Sequence, residues 1–365
     1  MLILPIGDRW KPLVDRIDRH LENFLPKTLE DADLVRFAGP PRWAHDPTVH
    51  TEMLSTPAWD LISRGGKRWR PLFGILLVES LGNSADPYEE MVVATAELCH
   101  TGALIIDDIE DGSLIRRGEE AIHLRYGTDV AINAANTLYF LPHLLYWDHP
   151  HLSDSQRLET YRSMVQQMAK AHFGQAMDIY WSRNLTAENF ERWLADGLPE
   201  KILQMYAFKT GSALEGLAEL ACTVGSSSEQ LRQACVGLAR DLGVSFQIVD
   251  DVLDLEGSPS WKKTVGQDVA AGKLTYAVVR ALERLGPVPR RRLLDILCGR
   301  SSDQDTVYEA ISLVRESGAL EECRERSRRI FEEAWSQYAG LVPDSGKKAM
   351  LRELCDMLIG SPDAE

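Results

Sequence analysis

The stretch Leu104–Gly118 reads LIIDDIEDGSLIRRG, and its residue types point to chemistry on a charged ligand. Asp107, Asp108 and Asp111 follow an apolar run with the pattern of a buried helix. Positions i and i+4 of a helix share a face, so Asp107 and Asp111 point the same way. Crowded carboxylates repel one another, and burial adds a desolvation cost. A hard divalent cation relieves both, and carboxylate oxygens suit Mg²⁺. Arg116 and Arg117 follow, as expected for a ligand with several anionic oxygens such as a diphosphate. One such motif can equally be a solvated helix end. A second, Phe246–Asp254 (FQIVDDVLD), again ends an apolar run in Asp250, Asp251 and Asp254. Two copies suggest two helices facing each other across a cavity, with metal ions bridging them to a diphosphate.

Other residues fit the same chemistry. Gly65–Pro71, GGKRWRP, opens a helix, and a glycine loop at a helix N-terminus favours anions. Lys67 and Arg70 there could clamp a phosphate, or simply form a basic surface turn. It is not a nucleotide-binding P-loop, which needs GxxxxGK[ST]. His100 lies two helical turns before Asp107; a lone helical histidine is more often a core residue. Lys209-Thr210-Gly211 falls inside a helical stretch, where glycine weakens the helix and predicts a kink exposing Lys209 and Thr210. Gln247 precedes the second acidic motif by about one turn. Gln175 and Asp178 share a face of their helix, where either could be a satisfied buried polar group. Lys263 and Lys273 bracket a polar loop whose cations could close over a diphosphate, or remain solvated.

The elements that must carry these residues read as helices throughout. Helical periodicity is expected over 10–25, 52–64, 70–82, 88–107, 130–147, 153–180, from Thr186, 201–225, 229–255, 273–285, 290–298, 303–318, 320–338 and 347–358. The proline-rich stretch 37–50 and the polar stretch 257–272 read as loops. Strand alternation and hairpin dipeptides are absent, so the fold class is all-α. The 365 residues, 44% of them hydrophobic, suffice for one large helical domain, with 1–50 an N-terminal extension. The net charge of −15 argues against a nucleic-acid partner. The six cysteines show no metal-ligating spacing and read as reduced thiols. No apolar run is long enough to span a bilayer, and MLILPIGDRWK does not read as a signal peptide, so a cytoplasmic protein is expected.

In combination and in order, GGKRWRP, the two DDxxD-type motifs, RRG, KTG, FQIVDD and KTVGQD…GK resemble the trans-isoprenyl diphosphate synthases, the polyprenyl synthetase family. The resemblance runs from about Pro57 onward; LIIDDIEDGSLIRRG and GQAMDIYW are most similar to geranylgeranyl diphosphate synthases. It implies a single helical bundle of the isoprenoid synthase type around a central cavity. It assigns Asp107, Asp111, Asp250 and Asp254 to Mg²⁺, about three ions per active site. Lys67, Arg70, His100 and Arg117 would hold the diphosphate of isopentenyl diphosphate. Arg116, Lys209, Lys263 and Lys273 would hold that of an allylic diphosphate, and Thr210 and Gln247 would lie along the reacting carbons. Family members usually form homodimers. Gly102 and Ala103, small and one turn below Asp107, imply a deep tunnel and a product of at least twenty carbons, with Tyr139 or Phe140 as its floor. Longer or C15 products, a class I terpene cyclase and a non-catalytic subunit are the alternatives; the two intact acidic motifs and GGKRWRP disfavour the last two. The chain departs from some relatives in its acidic ending, SPDAE, and in a second motif more complete than in many geranylgeranyl synthases.

Overall fold

The computed structural model describes residues 9–257, 265–301 and 303–360, and it is helical almost throughout. These residues form two compact units, one from 9–162 and 220–226 and the other from 163–219 and 227–360; they are called here the N-terminal and C-terminal units.

The N-terminal unit contains α1 (Lys11–Phe24), α2 (Asp31–Ala38), α3 (Thr56–Ser63), α4 (Trp69–Ser80), α5 (Glu89–Asp111), α6 (Ile122–Tyr126), α7 (Thr128–Phe140) and the start of α8 (Asp154–Arg183). Helix α5 is its axis and packs against α1, α4 and α7. It buries Met91, Val92, Val93, Leu98 and Ile105, which removes enough apolar surface from water to hold the helix without help from its solvent face. Glu89 and Glu90 open its first turn, where the helix dipole favours negative charge. Gly112 closes it directly after Asp111. The acidic motif thus occupies the last turn of a buried helix, where the dipole disfavours unneutralised carboxylates.

The C-terminal unit holds the rest of α8, α9 (Ala187–Ala195), α10 (Leu198–Tyr206), a π turn (Ala207–Gly211), α11 (Ser212–Val224, whose end lies in the N-terminal unit), α12 (Glu229–Glu256), α13 (Tyr276–Arg284), α14 (Pro287–Gly299), α15 (Gln304–Glu316), α16 (Ala319–Ala339) and α17 (Gly346–Leu358). Phe190, Ile202, Ile248, Val252, Leu282, Leu297 and Val314 belong to its core. Helices α12 and α16 pack along their length. Where they cross, the buried Ser245 and Ser327 hydroxyls each donate to the other's backbone carbonyl, at 2.9 and 3.0 Å, so neither polar group is left unsatisfied.

Several boundaries differ from the sequence expectation. Helix α5 continues through the acidic motif to Asp111. The expected helix 130–147 stops at Phe140, because Pro142 forces a 3₁₀ turn over Leu141–His143. Residues 31–38 form a helix whose start is fixed by reciprocal bonds between Glu30 and Asp33. The stretch 201–225 divides at the π turn. A two-residue hairpin, Ile115–Arg116 with Glu119–Glu120, appears where no strand was expected. Among the described residues no helix is long and apolar enough to cross a membrane.

Candidate active site

Within the N-terminal unit, α5 presents its three carboxylates differently. Asp108 is fully buried, Asp107 half-buried and Asp111 exposed. Asp108 accepts from Arg116 Nε at 2.8 and 3.1 Å and from Arg116 Nη2, while Nη2 lies 3.7 Å from Asp107. Asp108 therefore holds an arginine in place, while Asp107 and Asp111, i and i+4, lie on a more open face of the helix.

The RRG sequence is a hairpin turn. Arg116 pairs with Glu119 across it, and Arg117 and Gly118 at its tip both have positive φ, 55° and 82°, the geometry of a type I′ turn. Arg117 Nη1 donates to the Leu61 carbonyl at 2.9 Å. Arg64 from the end of α3 donates to the carbonyls of Arg116 and Glu120 at 3.0 and 2.8 Å, which fixes the hairpin. The adjacent arginines thus go to different partners.

Arg70 Nη1 donates to His100 Nε2 at 3.3 Å. Guanidinium only donates, so this nitrogen is the acceptor and the ring proton sits on Nδ1. Burial, with Arg70, Arg117, Arg116 and Arg68 nearby, pushes His100 well below its ordinary pKa and keeps it neutral. Burial also lowers Arg117 to about 10. Arg70, His100, Arg116 and Arg117 are thereby gathered in one electropositive region, and Lys67 stands half-buried just before α4. Arg68, between the two cations picked from the sequence, turns inward. It bonds Asp18 at 2.8 Å, Glu97 at 2.7 Å and the Ile62 carbonyl at 3.1 Å. Nothing in the local pattern separates it from Lys67 and Arg70, since its partners lie on α1 and α5.

Within the C-terminal unit, Lys209 donates to Asp178 Oδ2 at 2.7 Å, and Lys273 Nζ lies 4.0 Å from the same oxygen. Asp178 thus collects two of the expected diphosphate ligands. Lys209 and Thr210 sit on the π turn, which is held by close backbone approach. A Cβ at Gly174 would stand 2.5 Å from Lys209 N, and one at Gly243 would stand 2.6 Å from Gly211 Cα. Asp250 is half-buried, while Asp251 and Asp254 are buried. The Asp254 carbonyl accepts from Gly266 N at 3.0 Å and its carboxylate from Asp268 N at 3.4 Å. Thr210 Oγ1 donates to Gln247 Oε1 at 3.0 Å, and Gln247 Nε2 donates to Asp251 Oδ1 at 3.0 Å. Tyr206, not singled out from the sequence, donates to Asp251 Oδ2. Burial raises Asp251 well above the usual carboxylate range, with Asp268 adding to it and the Tyr206 and Gln247 donors opposing. Lys263 lies outside the described residues.

Among the described residues no three His, Cys, Asp or Glu side chains converge into a metal cage. One or two carboxylates per helix is a donor set that fits Mg²⁺, which keeps several waters and completes its shell with substrate phosphates.

The small residues below Asp107 have two different causes. A Cβ at Gly102 would stand 2.7 Å from the Ala135 carbonyl of α7 and 3.3 Å from the Tyr139 ring. Gly102 is therefore required by a helix crossing, and its size says nothing about a tunnel. Ala103, the next residue and about 100° further round α5, is exposed and remains a candidate tunnel residue. Of the two floor candidates, Tyr139 packs beside α5, whereas Phe140 is 68% exposed.

Comparison with known proteins adds four findings. The family model described as polyprenyl synthetase matches residues 51–314. A geranylfarnesyl diphosphate synthase from Aeropyrum pernix is 30% identical over 318 residues, covering 86% of this chain and 95% of that protein. Among solved structures, the geranylgeranyl pyrophosphate synthetase of Pyrococcus horikoshii superposes with a TM-score of 0.80 at 24% identity, over 96% of this chain and 97% of that one. The geranylgeranyl pyrophosphate synthase of Corynebacterium glutamicum, complexed with isoprenyl diphosphate and magnesium, superposes with a TM-score of 0.77 at 23% identity, over 94% and 97%.

Proposed function

Because the chain belongs to the polyprenyl synthetase family, we propose that it is a magnesium-dependent trans-prenyltransferase that condenses isopentenyl diphosphate with an allylic diphosphate to give linear geranylgeranyl diphosphate. The observation that carries this reading is the family match over residues 51–314, a span that contains all the candidate ligands from Lys67 to Lys273.

Lys67, Arg70, His100 and Arg117 are assigned to the diphosphate of isopentenyl diphosphate. Neutral His100 serves as a hydrogen-bonding group there and keeps Arg70 oriented. Arg116, Lys209, Lys263 and Lys273 are assigned to the allylic diphosphate. Asp108 and Asp178 hold Arg116 and Lys209 in advance, so little reorganisation is needed when charge develops on the leaving group. Asp107, Asp111, Asp250 and Asp254 would hold the magnesium ions, about three of them, which when bound help diphosphate to leave. The allylic C–O bond breaks to a carbocation and diphosphate, the double bond of isopentenyl diphosphate attacks, and a proton passes to the departed diphosphate. Thr210 and Gln247 offer oxygen dipoles along the reacting carbons. The protein's part is orientation, charge stabilisation and exclusion of water.

We further assign the active form to a cytoplasmic homodimer. Phe140, Trp147 and Leu158 of the N-terminal unit are 68, 71 and 69% exposed, and burial against a second copy would remove that apolar surface from water.

The test is a product assay with isopentenyl diphosphate, Mg²⁺ and dimethylallyl, geranyl or farnesyl diphosphate, sized by mass spectrometry. A linear C20 diphosphate is expected. Absence of elongation, or a hydrocarbon formed from an allylic diphosphate alone, overturns the reading in favour of a cyclase. A C25 product, for which the open side of α5 at Ala103 leaves room, would keep the reaction and change the chain length.

A further inference from the structure

The C-terminal unit contains a buried hydrogen-bond chain whose direction can be followed atom by atom. The Tyr276 backbone N–H, at the first position of α13, donates to Tyr206 Oη at 2.8 Å. It is one of the donors that a helix start leaves without an intrahelical partner. The Tyr206 hydroxyl donates to Asp251 Oδ2. Asp251 Oδ1 accepts from Gln247 Nε2, and Gln247 Oε1 accepts from Thr210 Oγ1, each at 3.0 Å. Tyr206 and Asp251 are each only 3% exposed, so unsatisfied protons there would be costly.

Asp251 Oδ2 accepts from Tyr206 and Oδ1 from Gln247, so each donor in the chain finds an acceptor. The Tyr206 proton points to Asp251 Oδ2. Gln247 must turn its NH₂ to Asp251 and its carbonyl to Thr210. Thr210 must then commit its single proton to Gln247, which leaves only oxygen lone pairs for whatever lies against it. The polarity of the Thr210 hydroxyl is thus decided on α10, before the π turn begins.

We propose that Tyr206 is a positioning residue for prenyl transfer: its hydroxyl fixes the direction of the chain so that Thr210 presents lone pairs, and no O–H, to the allylic carbocation. The proposal rests on the prenyltransferase reading. A lone pair steadies positive charge, whereas an outward O–H repels it and can anchor a water beside it. Captured by that water, the cation gives the allylic alcohol. The allylic C–O bond breaks, the water oxygen bonds to C1, and its proton goes to the released diphosphate.

Tyr206→Phe removes one oxygen and keeps the ring. In the full-length protein, elongation should slow by about tenfold, the order expected for loosened positioning. Both KM values should stay within about twofold and the alcohol share of total product should rise several-fold. In a Gln247→Leu background, Tyr206→Phe should add no further loss, because Tyr206 acts through Gln247. Unchanged kcat and alcohol share overturn the inference. So does a slower enzyme whose alcohol share is unchanged and whose loss adds to that of Gln247→Leu, the behaviour of a residue that only fills space. If Tyr206→Phe fails to fold, Gln247→Met, which removes the Thr210 acceptor, must raise the alcohol share alone, and failure to do so overturns the inference. The native enzyme run in parallel separates the two levels: no elongation by it sinks the prenyltransferase reading, while elongation with an indifferent Tyr206→Phe sinks only this one.

Discussion

Neighbouring aspartates of the first acidic motif differ in burial and partners, and substitution should tell them apart. Asp107 is half-buried and is the proposed metal ligand, while Asp108 is buried beneath Arg116. Asp107→Asn should cut kcat by about 10²–10³ and raise the Mg²⁺ concentration needed for half-maximal rate. Asp108→Asn should leave the Mg²⁺ titration nearly in place and instead raise KM for the allylic substrate, because Arg116 loses its anchor; steady-state kinetics at varied Mg²⁺ separates the two. Arg68 and Glu97 form a nearly buried pair at 2.7 Å. Without Glu97, Arg68 keeps Asp18 and the Ile62 carbonyl but loses its buried carboxylate, so Glu97→Leu should cost about 1–3 kcal/mol in denaturant unfolding. His100 gives a pH dependence. Its folded pKa lies well below the ordinary 6.5, while the unfolded chain takes up a proton near pH 6.5. The unfolded state therefore binds more protons as pH falls, and stability, complete above about 6.5, declines below it. Melting temperatures between pH 7.5 and 5 should fall less steeply for His100→Gln than for the native chain.

Helices as elements decide which small residues serve the ligand and which serve packing. Ala103→Phe should shorten the product toward C15 with little change in melting temperature. Gly102→Ala should destabilise by about 1–3 kcal/mol, because the added carbon meets the Ala135 carbonyl at 2.7 Å. Mass spectrometry of products beside thermal unfolding distinguishes them, and equal product shortening by both variants would contradict the assignment of Gly102 to the crossing. The sequence shows both glycine and alanine as small and cannot say which face of α5 meets α7. Long apolar periodicities were readable, since α5 and α12 carry their cores in their own spacing. So were the i, i+4 acidic pairs and the weak point at Lys209-Thr210-Gly211, which proves to be a π turn. Arg68, Tyr206 and the role of Asp251 were not readable, because each is defined by partners remote in the chain: Glu97, Tyr276 and Tyr206 respectively. The hairpin at Arg117-Gly118 was hidden for another reason. Arginine is an unusual first residue for a type I′ turn, and the turn is held by Arg64 rather than by its own sequence preference.

At the scale of the whole molecule, chelation with EDTA should abolish elongation, and added Mg²⁺ should restore it. Magnesium with inorganic diphosphate should raise the melting temperature more than either alone, since a ligand that binds only the folded state stabilises it. Sedimentation should give twice the chain mass, and charged substitutions at Phe140 and Trp147 together should shift it toward the monomer. The π turn sets a last constraint on the entire chain. It contains one residue more than an α-helix of the same rise would use. Deleting a single residue there would restore α-helical spacing and rotate everything beyond Ser212 by about 100°. Leu214 and Leu217 in one unit, and Leu220 and Ala221 in the other, would leave the cores they now occupy. The length of the chain at this turn is therefore a constraint of its own, separate from the chemistry of Lys209 and Thr210: loss of one residue there should unfold the chain unless an insertion nearby restores the register.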